Sequence, residues 1–214
     1  MWTQLRRSAI FCIVCLVVFG LAYPLAGVAV SQLFFRHQAA GSIATDGSTL
    51  IGQDWSKTKC PGHLPGSCVF QGRPDALGPY SDTGKYKGES PVGHPGDNPL
   101  VANGIAGASG ATNLGPRSAL LKSNTANLIA YWLARGVTPT PDLVTTSGSG
   151  LDPDITPQDA GAEVPMVSRA TGIPAARLRR LIDGQTEGRQ LGFLGSSYVN
   201  VLQLNEALAR LKGQ

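Results

Sequence analysis

The chain has 214 residues, with 18 lysines and arginines against 14 acidic residues and a formal net charge of +4. From Arg36 onward 16 basic residues face 14 acidic ones, a formal +2, which excludes a nucleic-acid-binding role carried by charge. Mean hydropathy is +0.00, yet almost all of the long apolar sequence precedes Phe35 and the remainder is rich in Gly, Pro, Ser and Thr. The two parts are therefore suited to two solvents.

No charged residue occurs from Ala9 to Val30, and twelve of these positions are Ile, Leu, Val or Phe. At about 1.5 Å per residue the run spans roughly 33 Å, enough for a hydrocarbon core of about 30 Å. Each large apolar residue is worth about −0.3 to −0.6 kcal/mol near the centre of a span, so insertion wins over the weakening by Gly20, Pro24 and Gly27. The rival is a cleaved signal peptide, but the run exceeds the usual apolar region and no strict Ala-x-Ala site closes it. Arg6 and Arg7 on the short side predict a cytoplasmic N-terminus (1–8), a membrane helix and exit (9–35), and an extracytoplasmic domain (36–214). Cys12 and Cys15 have CxxC spacing, but within the apolar run they read as small helix-surface residues.

Beyond the anchor, Asp46-Gly47 between short apolar runs predicts a hairpin or strand start. Cys60 and Cys68 bracket a Pro- and Gly-rich loop with His63. In an oxidising compartment the two cysteines are expected to pair, for roughly 2 to 3 kcal/mol. A metal site on Cys60, His63 and Cys68 is the alternative, without a fourth ligand. From Gln71 to Asn103 no helical period is found, which predicts a long irregular segment. Arg73, beside Phe70 and Pro74, is read as a brace for the loop.

Gly107 to Pro116 is a Gly-rich loop whose backbone N–H groups could face a phosphate, but the GK[ST] ending of a phosphate loop is missing, so a structural turn is the default. A helix is predicted from Pro116 and Arg117 to a stop at Gly136, with Leu121, Leu128 and Trp132 near the helical period and Trp132 in the core. Val137 to Thr145 reads as an edge strand marked by two prolines. Thr146 to Pro157, TSGSGLDPDITP, combines four small loop residues with a DPD turn and a helix start at Thr156, Pro157 and Asp159. Pro165 predicts a kink or break in the helix that follows. A second helix is expected from Ile173-Pro174 to Gly184, with Arg177, Arg179 and Arg180 on a solvated face. A last helix is expected with Asn200 as cap and Val201, Leu204, Leu208 and Leu211 on one stripe. The outer part is thus α+β, a single domain with few short strands and about four helices.

Ser147 and Ser149 beside Asp152 and Asp154 invite a hydrolase reading, but the three histidines, His37, His63 and His94, lie at the membrane exit or in loops and no GxSxG elbow occurs. No catalytic and no metal-ligating residue is assigned. A DPD turn in a Gly-rich loop reads as local side-chain-to-backbone bonding.

These residues, taken in order, resemble the KdpC family of the Kdp potassium-transporting ATPase. The resemblance rests on the N-terminal membrane helix, GSTLIGQ at Gly47–Gln53, FQGRP at Phe70–Pro74, SGATNLGP at Ser109–Pro116, DLVTTSGSGLDPDITP at Asp142–Pro157 and VNVLQLNEAL at Val199–Leu208. The sequence departs from the family at Ala111 and Thr112, where Gly and Ser are common, at Thr146, usually Ala, and at Asp154, often His or Asn. The stretches near 57–69 and 80–99 read as insertions. The resemblance implies a non-catalytic accessory subunit in the plasma membrane. Its expected partners are a K⁺-binding channel-like subunit (KdpA type) and an ATP-hydrolysing subunit (KdpB type), which it assembles and couples. The resemblance also implies a chaperone role that raises the ATPase subunit's nucleotide affinity. K⁺ is then the transported ion and ATP is used by the complex, with no cofactor assigned to this chain. The two loops, Ser109, Gly110, Asn113 and Gly115 with Ser147, Gly148, Ser149, Gly150 and Asp152, are the candidate partner-contact surface, or in the alternative nucleotide-binding loops. A membrane-anchored surface-binding module unrelated to transport is the remaining alternative.

Overall fold

The computed structural model describes residues 2–56, 58–74 and 110–213. The chain divides into two compact units, Met1–Ile43 and Ala44–Gln214.

In the first unit, α1 (Trp2–Val17), a π-helical turn (Val18–Ala22) and α2 (Tyr23–Phe34) run on as one helix of 33 residues, followed by a short α3 (Arg36–Ala39). The wide turn has a local cause. Pro24 has no N–H, and its ring would press on the carbonyl four residues back, so the ladder opens just before it. There the Tyr23 N–H donates to the Val18 carbonyl, five residues back. The Ser31 hydroxyl donates to the Gly27 carbonyl at 2.8 Å, which satisfies that polar group inside the helix. None of the most apolar window is buried by protein. Its length and composition suit a membrane crossing.

Among its described residues the second unit holds four α-helices, α4 (Ala119–Ala134), α5 (Pro157–Thr171), α6 (Ala175–Gln185) and α7 (Val201–Lys212). Three short strands among these residues, β1 (Asp154–Ile155), β2 (Thr186–Glu187) and β3 (Tyr198–Asn200), form an antiparallel sheet in the order β1-β3-β2. Asp154 stands opposite Asn200, and both Ile155 and Thr186 stand opposite Val199. The α+β class and the single N-terminal apolar helix agree with the sequence reading.

Local signals account for the helix ends. Ser118 caps α4 by accepting from the Leu121 N–H at 3.3 Å. Gly136, at φ +67°, ends it, with the Gly136 and Val137 N–H groups turned back to the Leu133 and Trp132 carbonyls. Thr156 and Asp159 form a reciprocal capping box on α5, and the Asn200 side chain caps α7 at the Gln203 N–H. The apolar faces meet in one core. Phe70, Trp132, Leu143, Val164, Val167, Leu178, Val199 and Leu204 are all fully buried there. The Trp132 indole N–H donates to the Leu143 carbonyl at 2.8 Å, so its polar edge is satisfied as well. Arg177, Arg179 and Arg180 of α6 are exposed, as their spacing implied.

Three local expectations are corrected. Val137 to Thr145 is not a strand. Pro139 and Pro141 remove two ladder donors, and the chain makes a 3-10 turn at Asp142–Val144 that still buries Leu143 and Val144. The hairpin at Asp46-Gly47 reduces to a turn in which the Ala44 N–H donates to the Gly47 carbonyl at 2.6 Å. Pro165 does not break α5, which is continuous to Thr171. Burial of Ala160, Val164, Met166 and Val167 offsets the roughly 3 kcal/mol that an interior proline costs. The irregular segment expected to run on to Asn103 is described only as far as Pro74; its remainder, with the insertion near 80–99, lies outside the described residues.

Cys60 and Cys68 are joined in a disulfide with Cα atoms 5.6 Å apart, so their sulfurs are not available to a metal. Cys12 and Cys15 are free thiols on α1. Among the described residues no group of three or more His, Cys, Asp or Glu could hold a metal ion. Between β2 and β3 the chain makes a tight excursion closed by paired hydrogen bonds between Gln190 and Leu194, both 2.9 Å. Its tip leaves Leu191 83% and Phe193 70% exposed.

Candidate functional site where two glycine-rich loops meet

The loop from Thr146 to Asp154 is shaped by its own side chains. The Ser147 hydroxyl is buried and accepts from the Gly150 N–H at 2.8 Å, and the Ser149 hydroxyl accepts from the Leu151 N–H at 3.1 Å. The two hydroxyls lie 3.3 Å apart. Gly150 has φ +70°, a conformation that a side chain disfavours. Asp152 Oδ1 accepts from the Asp154 N–H at 3.2 Å and closes the DPD turn. Ser147 is thus a turn former, with its oxygen already engaged.

The two loops are brought together at one point. The Gly110 N–H donates to the Ser149 carbonyl at 2.8 Å. Asn113 lies beyond this contact at φ +53°, exposed, and the Gly115 carbonyl accepts from the Ser118 N–H at the start of α4. Ser109 lies outside the described residues. Gly148 is exposed, with open space where a Cβ would stand.

Three distant segments hold this surface. Arg73 reaches in from the FQGRP segment, with its guanidinium 3.6 Å from Asp152 and 3.7 Å from Asp142, and it donates to the Thr146 carbonyl at 3.5 Å. It braces the loop, as its setting beside Phe70 and Pro74 implied. Gly52 comes so close that a Cβ there would stand 2.6 Å from the Asp152 carbonyl oxygen, and its N–H donates to the Leu151 carbonyl at 2.9 Å. Asn200 donates from one amide to both the Thr49 carbonyl and Asp154 Oδ1, each at 2.9 Å. Burial raises the Asp154 carboxyl above its ordinary range; the Asn200 hydrogen bond opposes this, and repulsion from Asp152 adds to it.

Behind the loops lies a polar framework that local sequence reasoning missed. Asn205 of α7 accepts from the Phe70 N–H at 2.8 Å and donates to the Phe70 carbonyl at 2.9 Å, a reciprocal pair between segments 135 residues apart. Glu163 of α5 is fully buried and accepts from the Gln71 N–H at 2.9 Å. Burial, and to a lesser degree the nearby Asp159, pushes its carboxyl well above the usual range against that hydrogen bond. The group is therefore neutral over a wider pH range than an ordinary glutamate. The available signal was a Glu and an Asn on otherwise apolar helix faces.

The arrangement presents a prefolded backbone surface and no nucleophile–base pair among the described residues. The Gly110, Gly150 and Leu151 N–H groups all donate within the protein, so they are not free to cradle a phosphate. Among the described residues the chain thus combines one 33-residue helix long and apolar enough to cross a membrane with a small braced α+β domain.

The family model described as "K+-transporting ATPase, c chain" matches residues 5–210. The chain is 39% identical to the potassium-transporting ATPase KdpC subunit of Methylorubrum extorquens, over 99% of this chain and 98% of that one. It is 38% identical to the KdpC subunit of Methylobacterium nodulans over the full length of both, and 39% identical to that of Sorangium cellulosum over 97% of this chain and 98% of that one. This chain belongs to the KdpC family of K⁺-transporting ATPases.

Proposed function

We propose that this chain is the non-catalytic accessory subunit of an ATP-driven K⁺-uptake complex, and that its braced loop surface docks on the channel-like subunit that selects K⁺. The observation that carries this reading is the join between the two loops, a backbone surface fixed by Arg73, Gly52 and Asn200 and free of side chains at Gly148. A rigid surface of that kind permits close approach at little ordering cost. The domain stands outside the cell, over the K⁺ entrance, with Arg6 and Arg7 in the cytoplasm. The Cys60–Cys68 disulfide supports that side, because such bonds persist in oxidising compartments. Coupling to the ATPase subunit, including any rise in its nucleotide affinity, then passes through the assembled complex, since the loop N–H groups that would hold a phosphate are already occupied. In this reading the chain binds no cofactor; K⁺ is the cargo and ATP the fuel of the partner subunits.

The test is Gly148→Val in the intact complex. Gly148 has open space around it, so the domain keeps its fold while the surface gains a protruding side chain. The expected result is weakened co-purification with the channel-like subunit and reduced K⁺ uptake, with the anchored domain still present in the membrane. Unchanged assembly and uptake would remove the docking role. A Ser149→Cys probe labelled by a membrane-impermeant reagent from outside the intact cell checks the side; labelling only after lysis would return the domain to the cytoplasm and reopen the nucleotide reading.

A further inference from the structure

We propose that the cavity between the Cys60–Cys68 loop and the ends of α4 and α5 binds a single phosphate-sized oxyanion. The cavity has a volume of about 120 Å³ and is lined by His63, Ser67, Arg135, Met166 and Arg169 among others. Two arginines and a histidine face one small space, and among the described residues no carboxylate pairs with any of the three.

Both guanidinium groups are fixed by contacts that leave donors to spare. Arg135 stacks 3.5 Å from the Tyr131 ring centroid and donates one Nη to the Tyr131 carbonyl at 3.3 Å. Its Nε is buried without a hydrogen-bond partner. Arg169 donates one Nη to the Arg135 carbonyl, and it reaches that position because Gly136 has no side chain: a Cβ there would stand 2.5 Å from an Arg169 Nη. A guanidinium has five N–H donors, so each head retains several. Burial pulls the Arg135 guanidinium below its ordinary value, against a smaller raising contribution from Tyr131, as befits a cation without a counter-charge.

A helix C-terminus ordinarily repels anions, but here that repulsion is muted. The Trp132 and Leu133 carbonyls accept from the Val137 and Gly136 N–H groups and the Arg135 carbonyl from Arg169, while two full positive charges outweigh about half a negative one. The opposite wall is the disulfide loop. It places the buried Ser67, whose hydroxyl makes no hydrogen bond among the described residues, beside the exposed His63, and the bond between Cys60 and Cys68 fixes both. Charge-assisted bonds from two forks and a hydroxyl are the chemistry of oxyanion recognition. The volume admits a phosphate group and falls well short of the roughly 300 Å³ or more of a site for a larger ligand. The site lies apart from the loop surface assigned to docking, and its existence does not depend on that assignment.

The experiment follows thermal unfolding of the full-length protein in detergent, titrated with inorganic phosphate and with chloride at matched ionic strength. The expected result is a saturable rise in Tm with phosphate beyond that with chloride, and a phosphate Kd raised at least tenfold in Arg135→Gln. Because Arg135 also braces α4, the combined variant His63→Gln, Ser67→Ala, which leaves both arginines in place, is measured beside it, with an expected loss of threefold or more. Glycerol phosphate is the second probe. Binding of both probes identifies a phosphate-group site open to esters, including lipid headgroups; binding of inorganic phosphate alone identifies a site for the free anion. No phosphate effect beyond chloride, or an unchanged Kd in the His63→Gln, Ser67→Ala variant, overturns the proposal.

Discussion

Two loops of the second unit share a high glycine content and have opposite surroundings. The loop at Thr146–Asp154 is held by Arg73, Gly52 and Asn200 from three other segments, and its own serines satisfy its backbone. Among the described residues the excursion between β2 and β3 is closed by its own backbone bonds, with the Gln190–Leu194 bridge at their centre, and it exposes Leu191 and Phe193. Glycine content permits both outcomes; the distant residues that reach the loop decide between them. A braced loop is a structural commitment of the whole domain, whereas a self-closed one is a local feature.

The sharpest way to break this contrast is Gly52→Ala. The added methyl would meet the Asp152 carbonyl at 2.6 Å, with main chain on both sides of the contact. The braced loop then has to move, at a cost of about 2 to 3 kcal/mol, the upper part of the overpacking range. Denaturant unfolding of the variant should show this loss, and a change near zero would mean that the loop is as free as the other.

A smaller effect of opposite sign is expected from Asp154→Asn. The Asp154 carboxyl titrates above its unfolded value, so its charged form is penalised in the fold. That penalty is absent at pH well below the ordinary value of 3.8, grows as the pH rises through it and is complete above the folded value. The amide removes the charge and still accepts from Asn200. Tm should rise at pH 7 relative to the parent and the two should converge near pH 3; a gain that persists at low pH would point to packing, not charge. The smallest effect on stability belongs to Phe193→Ser, within about 0.5 kcal/mol, because the ring is 70% exposed. A large loss on denaturant unfolding would show that the excursion is braced after all.

The sequence revealed whatever depends on neighbours within a helical turn or two. Trp132 in the core, the Thr156–Asp159 capping box and the Asn200 cap all follow from short spacings, and the structure has each of them. The exposed arginines of α6 follow from the same periodicity. What was not legible depends on partners far along the chain. The run from Val137 to Thr145 has strand-like composition, but among the described residues no strand pairs with it and its prolines leave it to turn. Asn205 bonds to Phe70 and Glu163 to Gln71, and no local pattern announces which backbone group a buried polar side chain will meet. At the loop surface, the self-bonding of the DPD turn was readable, whereas the Gly110–Ser149 contact that joins the two loops was not.

The π-helical turn at Val18–Ala22 has a consequence for the surface of the first unit. A straight α-helix advances about 100° per residue, so one extra residue in a turn rotates everything beyond it by a similar angle. The stripe of side chains aligned along Trp2–Val17 therefore does not continue as the same stripe along Tyr23–Phe34. One rod thus offers two differently directed faces, and a neighbour that follows the lower stripe is a different neighbour from one that follows the upper.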